Sequence, residues 1–209
     1  MTASAPPPVG RAARLRLRRT LHVATRGAQL LDRQLHLLRA ELAELRRAEA
    51  AARDEWEARV REARTWLLRG LLISGEDALR TASRVPPAHV TVAWEDSLGV
   101  RHPGRTAVYP GVTDASDAAP RNTALAHAGT SYRAAVEAAA RYGTASTAAR
   151  LVEARLRDTT VRVRALHRLR IPRLQQNLTA IELALEQSEH EDALRRRWAA
   201  RRTRPAAGG

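Results

Sequence analysis

The hydrophobic positions of this chain repeat every three or four residues over long distances. Leu31, Leu35, Leu38, Leu42 and Leu45 follow one another at steps of 4, 3, 4 and 3. That is the seam of a coiled coil, in which every 3.5 residues an apolar side chain meets a partner helix. The next seam position is Glu49, so the phase moves, and Ala48, Ala52, Trp56, Val60, Ala63 and Leu67 carry the stripe onward. A shift of this kind locally unwinds a supercoil without ending its helix. From Arg11 to Ser83 there is no Pro, and Gly occurs only at 27, 70 and 75. The pattern predicts one helix of more than sixty residues, about 100 Å at 1.5 Å per residue.

A second stripe begins with Leu156, Val163 and Leu166 and continues through Ile171, Leu174, Leu178, Ile181 and Leu185. Pro172 stands inside it and removes one helical hydrogen bond, which predicts a kink there. Between the stripes the character changes. Val90, Val92 and Trp94 alternate with Thr91 and Ala93, and Pro and Gly are frequent, which predicts a short β-hairpin. The expected organisation is a disordered segment over 1–10, a long helix over 11–84 and a hairpin-containing middle region over 85–130. A second long helix, kinked at Pro172, then covers 131–202, and a disordered tail covers 203–209. Two seams of similar length can leave water by closing on each other. The predicted fold class is therefore all-α: a long antiparallel two-helix coiled coil, or helical hairpin, with a small β-hairpin or knob at the turn.

Composition narrows the chemistry. Of 209 residues 44% are hydrophobic but only 3% are aromatic, with no Phe, so Ala, Leu and Val must fill the interior. Cys is absent and all 36 cationic Lys+Arg positions are Arg. There is thus no thiolate ligand or nucleophile, no phosphate-loop Lys and no Schiff-base Lys. The seven His form no i, i+4 ligand pair, and Glu189-His190-Glu191-Asp192 reads as a solvated face. No catalytic, cofactor-binding or metal-binding residue is expected. No run approaches the ~20 apolar residues of a membrane span, since Arg69 cuts the stretch from Trp66 to Ile73. A cytoplasmic protein is expected.

The net charge is +14. Six Arg precede the first acid, Asp32, and six follow the last, Asp192, so the surplus sits at the two ends. In an antiparallel hairpin those ends come together. Arg14, Arg18, Arg19, Arg195, Arg196, Arg197 and the neighbouring Trp198 are therefore the candidate contact residues for a partner. A basic hairpin of this kind admits two readings, an axle seated in an acidic bearing or a module binding nucleic acid or an acidic scaffold. A balanced body disfavours the second, because nucleic-acid binders carry a basic stripe along an element.

The residues from Leu15 to Leu42, LRLRRTLHVATRGAQLLDRQLHLLRAEL, resemble the N-terminal signature of the D subunits of the V/A-type rotary ATPases. Leu156 to Leu185, LRDTTVRVRALHRLRIPRLQQNLTAIELAL, resembles their C-terminal signature, and Leu98 to Pro103, LGVRHP, their middle element. Departures are that every cation is Arg, and that Arg164 replaces the usual Asn before Ala-Leu. The resemblance implies a non-catalytic central-stalk subunit that transmits torque and needs no cofactor. Its implied partners are the catalytic and nucleotide-binding head subunits, a small F-type stalk subunit and a funnel-shaped subunit leading to the membrane ring. Membrane association would come only through that complex.

Overall fold

The computed structural model describes residues 10–82, 87–111 and 122–202. Residues 1–9 of the expected disordered segment 1–10, the expected disordered tail 203–209, and the middle-region segments 83–86 and 112–121 with Pro86 and Pro120 lie outside the described residues. Helix α1 spans Arg11–Ala82, strand β1 His89–Ser97, strand β2 Val100–Tyr109, helix α2 Thr123–Ala165 and helix α3 Ile171–Arg202. A five-residue π-helical turn, Leu166–Arg170, joins α2 to α3 without a loop. The fold is a helical hairpin with one small two-stranded antiparallel sheet, as the two periods predict. The chain divides into two compact units, one of residues 1–33 and 159–209 and the other of residues 34–158.

In the unit of residues 34–158, contacts between α1 and α2 run in opposite order. Arg46 meets Glu153 at 2.7 Å, Glu55 meets Arg141 at 2.8 Å, Trp56 stacks on Tyr142 at 5.6 Å, and Trp66 stacks on His127 at 4.7 Å. As numbers rise on α1 they fall on α2, which is antiparallel pairing. Gly70 closes the series, because a Cβ there would lie 2.6 Å from Leu125 Cδ2. Only a residue without a side chain lets the two helices approach that closely.

Most of the interior is alanine. Ala63, Ala124, Ala128, Ala135, Ala138, Ala148 and Ala149 are buried, together with Leu38, Leu125 and Val152. Small side chains at helical spacing draw the axes together, so the buried area comes from backbone and Cβ contact in place of large rings. Glu49, the residue that interrupts the leucine repeat, is half-buried. It accepts a hydrogen bond from Ser146 and pairs with Arg46 at 2.7 Å. Those donors make a carboxylate tolerable at a seam position. The hydrogen bond from the Ser146 hydroxyl, and then the Arg46 guanidinium, hold its pKa below the ordinary 4.5 against the opposing effect of burial.

Helix α2 starts at Thr123 because Asn122 caps it. The Asn122 side chain accepts from the Leu125 N–H at 2.8 Å and donates to the Gly70 carbonyl at 3.1 Å and to the Ser74 hydroxyl. One residue thus satisfies an orphan donor at the helix start and ties the two helices together. Five residues beyond Gly70, α1 breaks at Gly75, whose φ of 72° is a left-handed conformation.

The β-hairpin leaves from the region between α1 and α2 but lies back along them. Leu38, Val100 and Val152 form a buried cluster against which Leu42, Leu45, Leu98 and Leu156 pack, and the Gln34 amide donates to the Leu98 carbonyl at 3.4 Å. Leu38 lies 32 residues before Gly70, which is roughly 48 Å along a helix. β1 pairs with β2 from His89–Tyr109 to Ser97–Val100, with an irregularity between Val92 and Trp94. The irregularity falls opposite Pro103, which has no N–H to give the ladder.

In the unit of residues 1–33 and 159–209, Arg11 pairs with Glu189 at 2.8 Å, Arg18 with Glu182, and Asp32 with His167 at 2.9 Å. The order is again reversed, so α1 and α3 are antiparallel here. Ala13, Ala24, Ala28, Thr159, Val163 and Ile181 are buried. The π-helical turn abuts Pro172: the Ile171 N–H reaches the Leu166 carbonyl five residues back, just before the position that lacks a donor.

Candidate functional site

The expected seam residues occupy inward positions. Leu35, Leu38 and Ile181 are buried, and Leu31, Leu42, Leu45, Ile171, Leu174, Leu178 and Leu185 are half-buried. Long side chains account for little of the interior between Thr123 and Asp158, where alanines take over. The signal for this second seam lies in the sequence as Ala124, Ala128, Ala135, Ala138 and Ala149 at helical spacing. It is a faint one, because Ala is ordinary on any face of a helix.

The candidate contact residues belong to the unit of residues 1–33 and 159–209. This unit has 18 Arg against six acids, whereas residues 34–158 have 18 Arg against 16 acids. Arg18 is engaged with Glu182, Arg195 with Glu191 and Asp192, and the Arg196 Nε donates to the Asp192 carbonyl at 3.1 Å. Arg14 is half-buried, while Arg19 and Arg197 are exposed. Trp198 is 71% exposed and, with Leu194, Arg195, Ala199 and Arg202, borders an open cavity of about 590 Å³. The Arg11–Glu189 pair sets the first turn of α1 beside α3, so the basic beginning and the basic end share one unit.

No reaction centre emerges among the described residues. Among the described residues no group of three or more His, Asp or Glu could hold a metal ion, and no helix is long and apolar enough to cross a membrane. His102 is the one buried imidazole among the described residues; its Nδ1 lies 3.3 Å from the Pro103 carbonyl, and its Nε2 has no partner. It packs within the hairpin.

Paired helices with an alanine interior, a docked hairpin and an Arg-rich surface define a coiled-coil scaffold. The particular family follows from comparison with known sequences. The family model for the D subunit of ATP synthase matches residues 13–201, and the chain belongs to that family. It is 31% identical over 212 residues to the V-type ATP synthase D subunit of Anaeromyxobacter sp. (strain Fw109-5), covering 96% of each chain. It is 29% identical over 185 residues to the V-type ATP synthase D subunit of Thermus thermophilus, covering 87% of this chain and 82% of that one.

Proposed function

We propose that this chain is the D subunit of a V-type ATP synthase and serves as its central-stalk shaft. It carries torque between an ATP-binding head and an ion-translocating membrane ring, and it takes no part in the chemistry itself. The observation that supports this most directly is the reversed ladder of contacts between long helices, found in both units. A helix alone twists easily, whereas two helices interlocked side by side resist torsion. Cross-helix ion pairs and ring stacks at Arg46–Glu153, Glu55–Arg141, Trp56–Tyr142 and Trp66–His127 oppose sliding of one helix past the other. The partners in this reading are the catalytic and nucleotide-binding head subunits, a small F-type stalk subunit and a funnel-shaped subunit leading to the ring. The chain then lies at the cytoplasmic side, peripheral to the membrane. The π-helical turn at Leu166–Arg170 with Pro172, and the phase change at Glu49, make the shaft surface uneven, so each rotation angle presents a different face to the head.

The test is direct rotation. The chain has no Cys, so a single cysteine replacing Asp96 in the exposed part of β1 accepts a bead without side reactions. With the head immobilised, ATP should turn the bead. Hydrolysis with a stationary bead on an assembled complex would sink the shaft reading.

A further inference from the structure

The inner side of α2 is built from nearly interchangeable parts. Positions 124, 128, 131, 135, 138, 142, 145 and 149 follow at alternating steps of four and three, and six of these eight are alanine, the others being Ser131 and Tyr142. All of them are buried or half-buried. A seam that repeats every seven residues is matched again when one helix slides by seven, about 10 Å at 1.5 Å per residue. The alanines therefore set how near α1 and α2 lie, and leave open which residues stand opposite each other. Some other feature must choose the alignment.

Most cross-helix contacts choose weakly. Glu55 and Arg141 form an exposed ion pair, whose partners water can satisfy at little cost. Trp56 and Tyr142 meet by fit, as do Gly70 and Leu125, and apolar side chains can repack against alanine. Glu49 has no such freedom. It occupies a seam position with its side chain only 15% exposed. From α2 it receives the Ser146 hydrogen bond and the field of Arg150. Arg46 also pairs with it but travels on the same helix, so it serves every alignment alike. A slide of seven residues one way replaces Ser146 by Ala139, whose side chain has no donor. A slide the other way brings Glu49 to Glu153, carboxylate against carboxylate. Either costs a covered charge its cross-helix partner, while alanine beside alanine notices nothing. One polar residue at a seam position can fix the register of a coiled coil in this manner.

We propose that Glu49 and Ser146 are the register key of the α1–α2 pair, admitting one alignment of an alanine seam that would otherwise close in several. This goes beyond the shaft reading, because it holds for the chain on its own. In a shaft it has a use: a seam free to slip would absorb motion that should reach the head.

The experiment reads alignment directly, since stability alone does not decide: removing a covered charge can raise it. In the full chain, spin labels go on cysteines replacing Ala58 and Ala154, both exposed. Position 58 stands near 139 in the reversed ladder, about fifteen residues from 154, so the labels lie roughly 22 Å apart along the axis. With Glu49 and Ser146 in place there should be one distance. E49L/S146A makes this layer apolar; it should stay helical by circular dichroism and add a second distance displaced by roughly 10 Å. Glu49→Ala, which extends the alanine seam with no larger side chain, should do the same and gives the reading if the double variant loses helix. E44L, the same change at an exposed position, should keep one distance, and so should S146T, which keeps the hydroxyl. A single unshifted distance in E49L/S146A or Glu49→Ala, whichever is helical, overturns the proposal, as does a broadening centred on the original distance. A second distance in E44L, in S146T or in the labelled chain with both residues intact overturns it as well.

Discussion

Single residues decide how closely the helices approach. At Gly70 a methyl group would meet Leu125 Cδ2 at 2.6 Å, Cγ at 2.7 Å and the backbone N at 3.2 Å. Gly70→Ala should therefore lower stability by about 1–3 kcal/mol, the cost of overpacking, despite the better helix propensity of Ala. Gly129 has nothing within 4 Å of the same position. Gly129→Ala should raise stability by up to about 1 kcal/mol, because only the propensity acts. Urea unfolding of the two variants gives opposite signs if contact, and not helix propensity, governs Gly70. Leu38 is fully buried against Val100 and Val152, and Leu38→Ala should cost about 2–5 kcal/mol by the same measurement.

At the scale of elements, the cross-helix bond from Ser146 to Glu49 makes stability depend on pH. The Glu49 pKa is lowered in the folded chain from its ordinary 4.5. Its contribution is therefore complete above that value and disappears as pH falls through the folded pKa. Glu49→Gln should flatten the acid limb of a stability–pH profile below about pH 4.5, and Ser146→Ala should flatten it in part; an unchanged limb in both would show that the bond is absent. The long helices are legible in the sequence because Leu31–Leu45 and Ile171–Leu185 repeat without ambiguity, and the hairpin because Val90–Trp94 alternates. The Asn122 cap and the alanine interior are not. A single Asn before Thr-Ala-Leu is a weak signal, and alanine positions reveal their face only once a partner helix is in place. The docking of the hairpin on Leu38 is equally hidden, since the heptad alone assigns Leu38 wholly to the helix–helix seam. Pro172 predicts a bend; the structure has a wide turn immediately before it, with the Ile171 N–H bonded to Leu166. Pro172→Ala restores a donor, and amide exchange between residues 166 and 172 should then slow.

For the molecule as a whole, the reversed ladder fixes where the beginning and the end of the helical chain lie. Arg11 pairs with Glu189 and Arg18 with Glu182, so position 14 stands opposite position 186. Spin labels on cysteines replacing Arg14 and Glu186 should give a distance on the order of 10–20 Å, the helix spacing plus two label arms. A separation several times larger would mean that the ladder is wrong. The hairpin turn depends on such pairing. Leu98 has φ of 52° and Gly99 of 74°; two left-handed residues in a two-residue loop usually call for Asn-Gly. A leucine there is strained by about 1 kcal/mol or more, and its side chain is satisfied only on the floor formed by Leu38 and Val152. The bend of the hairpin thus leans on both helices at once: the strained conformation of Leu98 is offset only where Leu38 of α1 and Val152 of α2 stand side by side, so loosening either helix loosens the bend.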